Sequence, residues 1–149
     1  MNKVEIIVLK NEEEYRVEYA KAYLNSGALK LLNDVPVMFS EKDFDHIFWE
    51  KDIGGENEKF SLRRAKRMYF MKALLSGEFN VELMYQTDRG TFALFCEDLE
   101  CVMYLRARQG SGVLQVGTFF DFGENHIKML NRQKKKCVPI TLLDLKAKL

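Results

Sequence analysis

Residues 81–120 read VELMYQTDRGTFALFCEDLECVMYLRARQGSGVLQVGTFF, and the way this stretch divides decides the fold. Four runs rich in aromatic and aliphatic residues stand out: VELMYQ (81–86), TFALFCED (91–98), ECVMYLRAR (100–108) and VLQVGTFF (113–120). TDRG and QGSG between them suit hairpin turns, and Asp98-Leu99 marks a tighter reversal. Four strands in succession with short connections predict an antiparallel meander. In the third run Cys101, Met103, Leu105 and Ala107 alternate onto one face, expected to be core. Glu100, Val102, Tyr104, Arg106 and Arg108 take the other. That second set is either a solvated strand face or one wall of a basic groove.

Upstream of residue 81 the period changes from two to that of helices. VEIIVL (4–9) reads as a short strand or an extended lead-in. Residues 11–34 read as a helix capped by Asn11 and interrupted near Asn25-Ser26-Gly27, with Pro36 ending the segment. Residues 39–52 hold a short helix with Ser40 as N-cap and Asp43 at its third position, an acidic relative of the capping box. A Gly-Gly loop follows over 53–60. FSLRRAKRMYFMKALLSG (60–77) predicts one continuous helix, capped by Ser61, free of internal Gly and Pro, and stopped by Gly77. Beyond the strands, 124–136 and the TLLDLKAKL tail read as further helices. The expectation is a single α+β domain over 1–149, with N-terminal helices packed on a four-stranded antiparallel meander and a C-terminal helical extension. Its parts are an N-terminal extension (1–38), a core (39–122) and a basic C-terminal extension (123–149).

Composition narrows the function classes. A chain of 149 residues, 47% hydrophobic and 30% charged, can bury a sizeable core. The formal net charge is only +1, so binding to nucleic acid requires a local patch. Cys96, Cys101 and Cys137 are an odd number without CxxC spacing, which argues for buried free thiols over a zinc site or a disulfide framework. No metal or cofactor site is expected: P-loop and GxGxxG patterns are absent, and His46 and Glu50 lack the rest of HEXXH. With no signal peptide and no apolar run near the ~18 residues of a membrane span, the expected location is the cytoplasm and no membrane partner is expected.

The charges on 60–77 carry the strongest functional pattern. On a continuous helix Arg63, Arg67 and Leu74 share a narrow arc, and Arg64, Met68, Met71 and Leu75 extend the same face. Arginines beside a packing face are either paired with acids such as Asp45, Glu50 or Asp52, or they line an anion-binding cleft. The basic run NRQKKKC (131–137) is either a solvated helix end or an attraction for RNA. Lys51, Arg63, Tyr104, Arg106, Arg108, Lys134 and Lys135 are the candidate RNA contacts. His126 reads as a surface residue. A protein-interaction role would show instead as an exposed apolar patch at Tyr15, Tyr19, Tyr23 and Leu31.

The order HIFWE, glycine-rich loop, FSLRRAKRMYFMKALLSG, then a meander ending in GTFF resembles the barnase–EndoU–colicin–RelE-like nucleases, in subgroups from phages and mobile elements. Those have a helix of the form F-x-x-x-R-A-x-R-I-x-W-I, matched here by Phe60, Arg64, Ala65, Arg67, Met68, Phe70 and Met71. The likeness covers roughly 39–122 and departs at Phe70 and both methionines. It implies a toxin-like ribonuclease that cleaves without metal, by attack of the 2′-hydroxyl on the adjacent phosphate. His46 would then be general base or acid, Arg64 and Arg67 a phosphate clamp, Thr118 a donor to a phosphate oxygen, and Glu50 a partner of His46 or Arg64. The strand pattern of Leu114, Val116 and Phe120 equally permits Thr118 to face the core. The implied partners are RNA, tRNA among the candidates, and an immunity or antitoxin protein. The alternative is a non-catalytic RNA- or protein-binding module of the same fold.

Overall fold

The computed structural model describes residues 4–27, 29–51, 58–108, 110–123 and 126–149, without the side chains of Lys51 and His126. The architecture is α+β. Among the described residues the elements are α1 (Glu12–Tyr19) with a π-helical turn over Ala20–Leu24, β1 (Leu29–Leu31), β2 (Val35–Met38), α2 (Asp43–Phe48), β3 (Trp49–Lys51), β4 (Glu58–Phe60), α3 (Leu62–Ala65), α4 (Tyr69–Ser76), β5 (Val81–Gln86), β6 (Thr91–Cys96), β7 (Cys101–Arg108), β8 (Val113–Asp121), α5 (His126–Lys134), β9 (Val138–Pro139) and α6 (Leu142–Ala147). None of the described helices is long and apolar enough to cross a membrane.

The sheet is larger than the expected four-stranded antiparallel meander: β5, β6, β7 and β8 pair antiparallel in sequence order, but as part of a wider sheet. It is seven-stranded and mixed, in the order β1-β2-β8-β7-β6-β5-β9, and β3 and β4 form a separate hairpin. Its parallel pair is β2 with β8, through Val37↔Leu114 and Met38↔Gln115. The extra strands come from segments whose sequence pattern reads otherwise. The expected helix 11–34 stops at Leu24 with Asn25 as its C-cap, Gly27 beyond it takes φ +87°, and Leu29–Leu31 is β1. β1 then turns into β2 through Leu32 (φ 51°) and Asn33 (φ 60°), both in the left-handed region, with Asp34 N–H donating to the Leu31 carbonyl at 2.9 Å. The expected helix 39–52 stops at Phe48, and Trp49–Lys51 is strand. Residues 4–9 form neither strand nor helix.

The continuous helix over 60–77 is also overturned. Ser61 does cap α3, accepting from Arg64 N–H at 3.3 Å, but the helix yields to a turn over 66–68 and restarts as α4. Two distant groups take the carbonyls that the helical ladder would use. Ile7 N–H donates to the Lys66 carbonyl at 3.0 Å, and Phe70 N–H falls back to Arg67. The Tyr23 hydroxyl donates to the Met68 carbonyl and accepts from Lys72 N–H, so it sits inside the ladder between residues 68 and 72. An inserted side chain is a recognised cause of a helix kink.

Both faces of the sheet are covered. On one, Tyr15, Tyr19, Phe44, Phe48, Met68, Met71, Leu74 and Leu145 pack on Leu94, Met103, Leu105, Val116 and Phe119. The tyrosine row of α1 is therefore core, and Tyr15, Tyr19, Tyr23 and Leu31 are buried, so they do not form the exposed patch that a protein-interaction role would have shown. On the other face α5 lays Leu130 over Met84, Phe95, Val102 and Tyr104. Tyr104, expected on an exposed face, is consequently 9% exposed. The run CVMYL is buried throughout because both of its faces are covered. All three cysteines are buried and free.

Candidate nucleic-acid interface

The register of β7 and β8 sets up the site. Tyr104 pairs with Thr118 and Leu105 with Val116, which leaves Gly117 as a bulge. A Cβ at Gly117 would lie 3.2 Å from the Tyr104 carbonyl oxygen, so the close approach suits glycine. The extra residue reverses the alternation of β8. Phe119 goes into the core, while Thr118 and Phe120 turn to the α5 side, half-buried. The core-facing reading of Thr118 and Phe120 fails for this reason.

Two adjoining clefts run along one flank of α5 and share Phe120. The larger, about 960 Å³, is walled by Arg63 and Arg67 on one side and by Lys128 and Arg132 on the other, over Phe120, Phe122 and Met129. Glu100 and Asp121 supply its negative charge. The smaller, about 360 Å³, holds Arg89, Arg106 and Lys136 with Gln86, Thr91, Tyr104, Thr118 and Gln133, and none of its described lining residues is acidic. Lys128, Arg132 and Lys136 recur every fourth residue, a rise of about 6 Å each along a helix. The backbone supports that spacing past α5, since Lys135 N–H still donates to the Asn131 carbonyl at 3.2 Å. Lys128, Arg132, Lys136, Arg67, Arg89 and Arg106 make no ion pair among the described residues.

The arginines divide differently from the expected clamp. Arg64 is only 17% exposed at its side chain, with its amino nitrogens 3.5 Å from Glu50 Oε2 and 3.3 Å from the Ile47 carbonyl. Its guanidinium lies 5.8 Å from the Phe120 ring centre, and its buried Nε has no partner. Burial pulls the Arg64 pKa below its usual value, against the opposing pull of Glu50. Arg63 stands 3.0 Å from Asp121 and 3.9 Å from Glu50. The Asp121 oxygen has no aligned hydrogen bond, so that contact is a charge pair without a well-directed donor. Glu50 thus serves the arginines. Arg67 donates to the Arg63 carbonyl at 2.8 Å and keeps its charge for the cleft.

The remaining candidates scatter. His46 is exposed on α2 and lines neither cleft. Its neighbour Asp45 pairs with Arg16 at 2.5 Å, and Asp43 is buried, accepting from Ser40 and from Gln115 Nε2 at 2.6 Å. Arg108 is exposed beside Met38, away from both clefts. Lys134 reaches Glu82 at 2.9 Å on the opposite flank of α5, and Lys135 is exposed. Asp52 and the side chains of Lys51 and His126 lie outside the described residues. Arg89 and Lys128 were not anticipated, and Arg132 and Lys136 entered only as part of the basic run 131–137, although the K-x-x-x-R-x-x-x-K spacing links Lys128, Arg132 and Lys136. Among the described residues no group of His, Cys, Asp and Glu side chains could hold a metal ion. Comparison of the chain with protein-family models, curated proteins and solved structures gives no match.

Proposed function

We propose that this chain binds single-stranded RNA along the α5 trough without cleaving it. The observation that carries the reading is the row Lys128, Arg132 and Lys136 facing Arg67, Arg89 and Arg106, all without ion pairs among the described residues. Cations left unneutralised across a groove are the electrostatic footprint of a phosphate backbone. Phe120, half-buried at the junction of the clefts, offers a surface on which an unstacked base can lie, which favours single strands over duplex.

Cleavage through the 2′-hydroxyl needs a proton-transfer group beside the phosphate clamp. The candidate base or acid and the candidate phosphate contacts do not converge: His46 lies off the trough, Arg64 is held by Glu50, and Thr118 lines only the smaller cleft. A binding role without cleavage requires no immunity protein. The test is fluorescence anisotropy with a labelled uridine oligoribonucleotide at low salt, run beside incubation of the same RNA in EDTA. Salt-sensitive binding and intact RNA are expected. Degradation that His46→Ala abolishes would overturn the reading.

A further inference from the structure

The smaller cleft has a more specific chemistry than phosphate attraction. We propose that it is a base-recognition subsite selective for guanine; this rests on the RNA-binding reading above. Gln86 is only 7% exposed, an unusual place for an amide on a strand. Its Oε1 accepts from Thr91 Oγ1 at 2.9 Å. No described residue accepts from its Nε2, and Gln86 lines the cleft. Gln133 repeats the arrangement, with its Oε1 accepting from the Tyr104 hydroxyl at 2.8 Å. The Tyr104 hydroxyl, whose pKa burial pushes up to about 12, keeps its proton near neutral pH and donates it to the Gln133 oxygen.

Both side-chain carbonyls are thus occupied, and both amide NH₂ groups remain as donors. The guanidinium groups of Arg106 and Arg89 add more donors, and no described lining residue adds a carboxylate. Such a cleft matches a base edge made of adjacent acceptors. Guanine alone presents O6 and N7 together, the edge that an arginine fork grips with two parallel bonds. Adenine and cytosine place an amino donor on the corresponding edge and meet an excess of donors. Uracil separates its two carbonyls by an N–H, which spoils the two-point grip. The volume of about 360 Å³ suits one nucleoside-sized group. Phe120 supplies a stacking face, itself backed by Tyr104 with ring centres 6.2 Å apart.

The experiment compares a uridine-only oligoribonucleotide with the same oligomer carrying one central guanosine, adenosine or cytidine. The guanosine oligomer should bind roughly tenfold tighter than the other three. Arg106→Lys keeps the charge and loses the fork; Gln86→Leu removes the buried donor. Each should bring the ratio of guanosine to uridine affinity close to one. Arg106 is exposed, so its variant remains informative if Gln86→Leu does not fold. Equal, salt-sensitive binding of all four oligomers overturns the guanine subsite while leaving RNA binding intact. A guanosine preference that survives Arg106→Lys overturns it as well. Failure of every oligomer to bind at low salt removes both readings.

Discussion

Replacing Tyr23 by Phe tests the origin of the break between α3 and α4, which sets where Arg63 and Arg67 stand. The substitution removes one hydroxyl and keeps the ring, whose centre lies 4.6 Å from that of Phe39 and 5.5 Å from that of Tyr19. No cavity of consequence forms, so the loss is confined to two hydrogen bonds, one to the Met68 carbonyl and one from Lys72 N–H. Each such bond contributes about 0.5–1.5 kcal/mol net, and a buried partner left unmade costs more. The sum is about 2 kcal/mol. It falls to about 1 kcal/mol if Lys72 N–H closes directly onto Met68 as in an unbroken helix. For a chain of this size the fall in Tm is about 4–8 °C for the larger loss and about 2–4 °C for the smaller. Urea unfolding should show a lower midpoint at unchanged slope, and hydrogen exchange should show faster loss of the Lys72 amide proton. A midpoint unchanged to within about 0.5 kcal/mol, with Lys72 equally protected, would refute the claim that an inserted hydroxyl divides the helix.

Other substitutions probe the site directly. Glu50→Gln removes the carboxylate shared by Arg63 and Arg64, so RNA binding should tighten a few-fold, with a salt slope steeper by about 0.7 per phosphate newly neutralised. Weaker binding in anisotropy would place Glu50 on the RNA side of the cleft. Gly117→Ala forces a methyl against the Tyr104 carbonyl and should cost about 1–2 kcal/mol in urea unfolding, because the bulge must shift. Burial raises the Tyr104 and Tyr23 hydroxyls above the value of about 10 that they have unfolded. The folded state therefore holds those protons more tightly. Its stability is complete below about pH 10 and declines as pH rises toward 12, where Tyr104 itself ionises. Urea midpoints near pH 8 and near pH 11 should show that decline, and a flat profile would contradict the burial of both hydroxyls.

How far the sequence was legible depended on whether the deciding partners were local. The strand runs between 81 and 120 carry their own period and turn residues. The caps at Asn11, Ser61 and Thr141 each form with the residue three positions on. What misled was decided at a distance. Nothing near 66–68 announces a break, since its causes are Ile7 and Tyr23. Within the helix-like run 29–34, Leu29–Leu31 becomes a strand because β2, itself paired with β8, stands ready to pair with it. A single bulge at Gly117 reverses the faces of Thr118 and Phe120, which strict alternation cannot foresee. The site suffered in the same way. Projecting Arg63, Arg64 and Arg67 onto one unbroken helix merged an arginine held by Glu50 with one that faces the cleft. The basic run drew attention to Lys134 and Lys135, although spacing by four marks Lys128, Arg132 and Lys136 as the side chains on one flank.

That flank carries the central claim, and salt dependence tests it most directly. The slope of log Kobs against log salt for a uridine oligoribonucleotide should fall by about 0.7 for each phosphate that is no longer neutralised, so Lys128→Ala and Arg132→Ala should each lower it by that amount. Lys134→Ala, on the opposite flank and paired with Glu82, should leave it unchanged. A slope lowered equally by Lys134→Ala and Arg132→Ala would mean that RNA follows overall charge and not the trough.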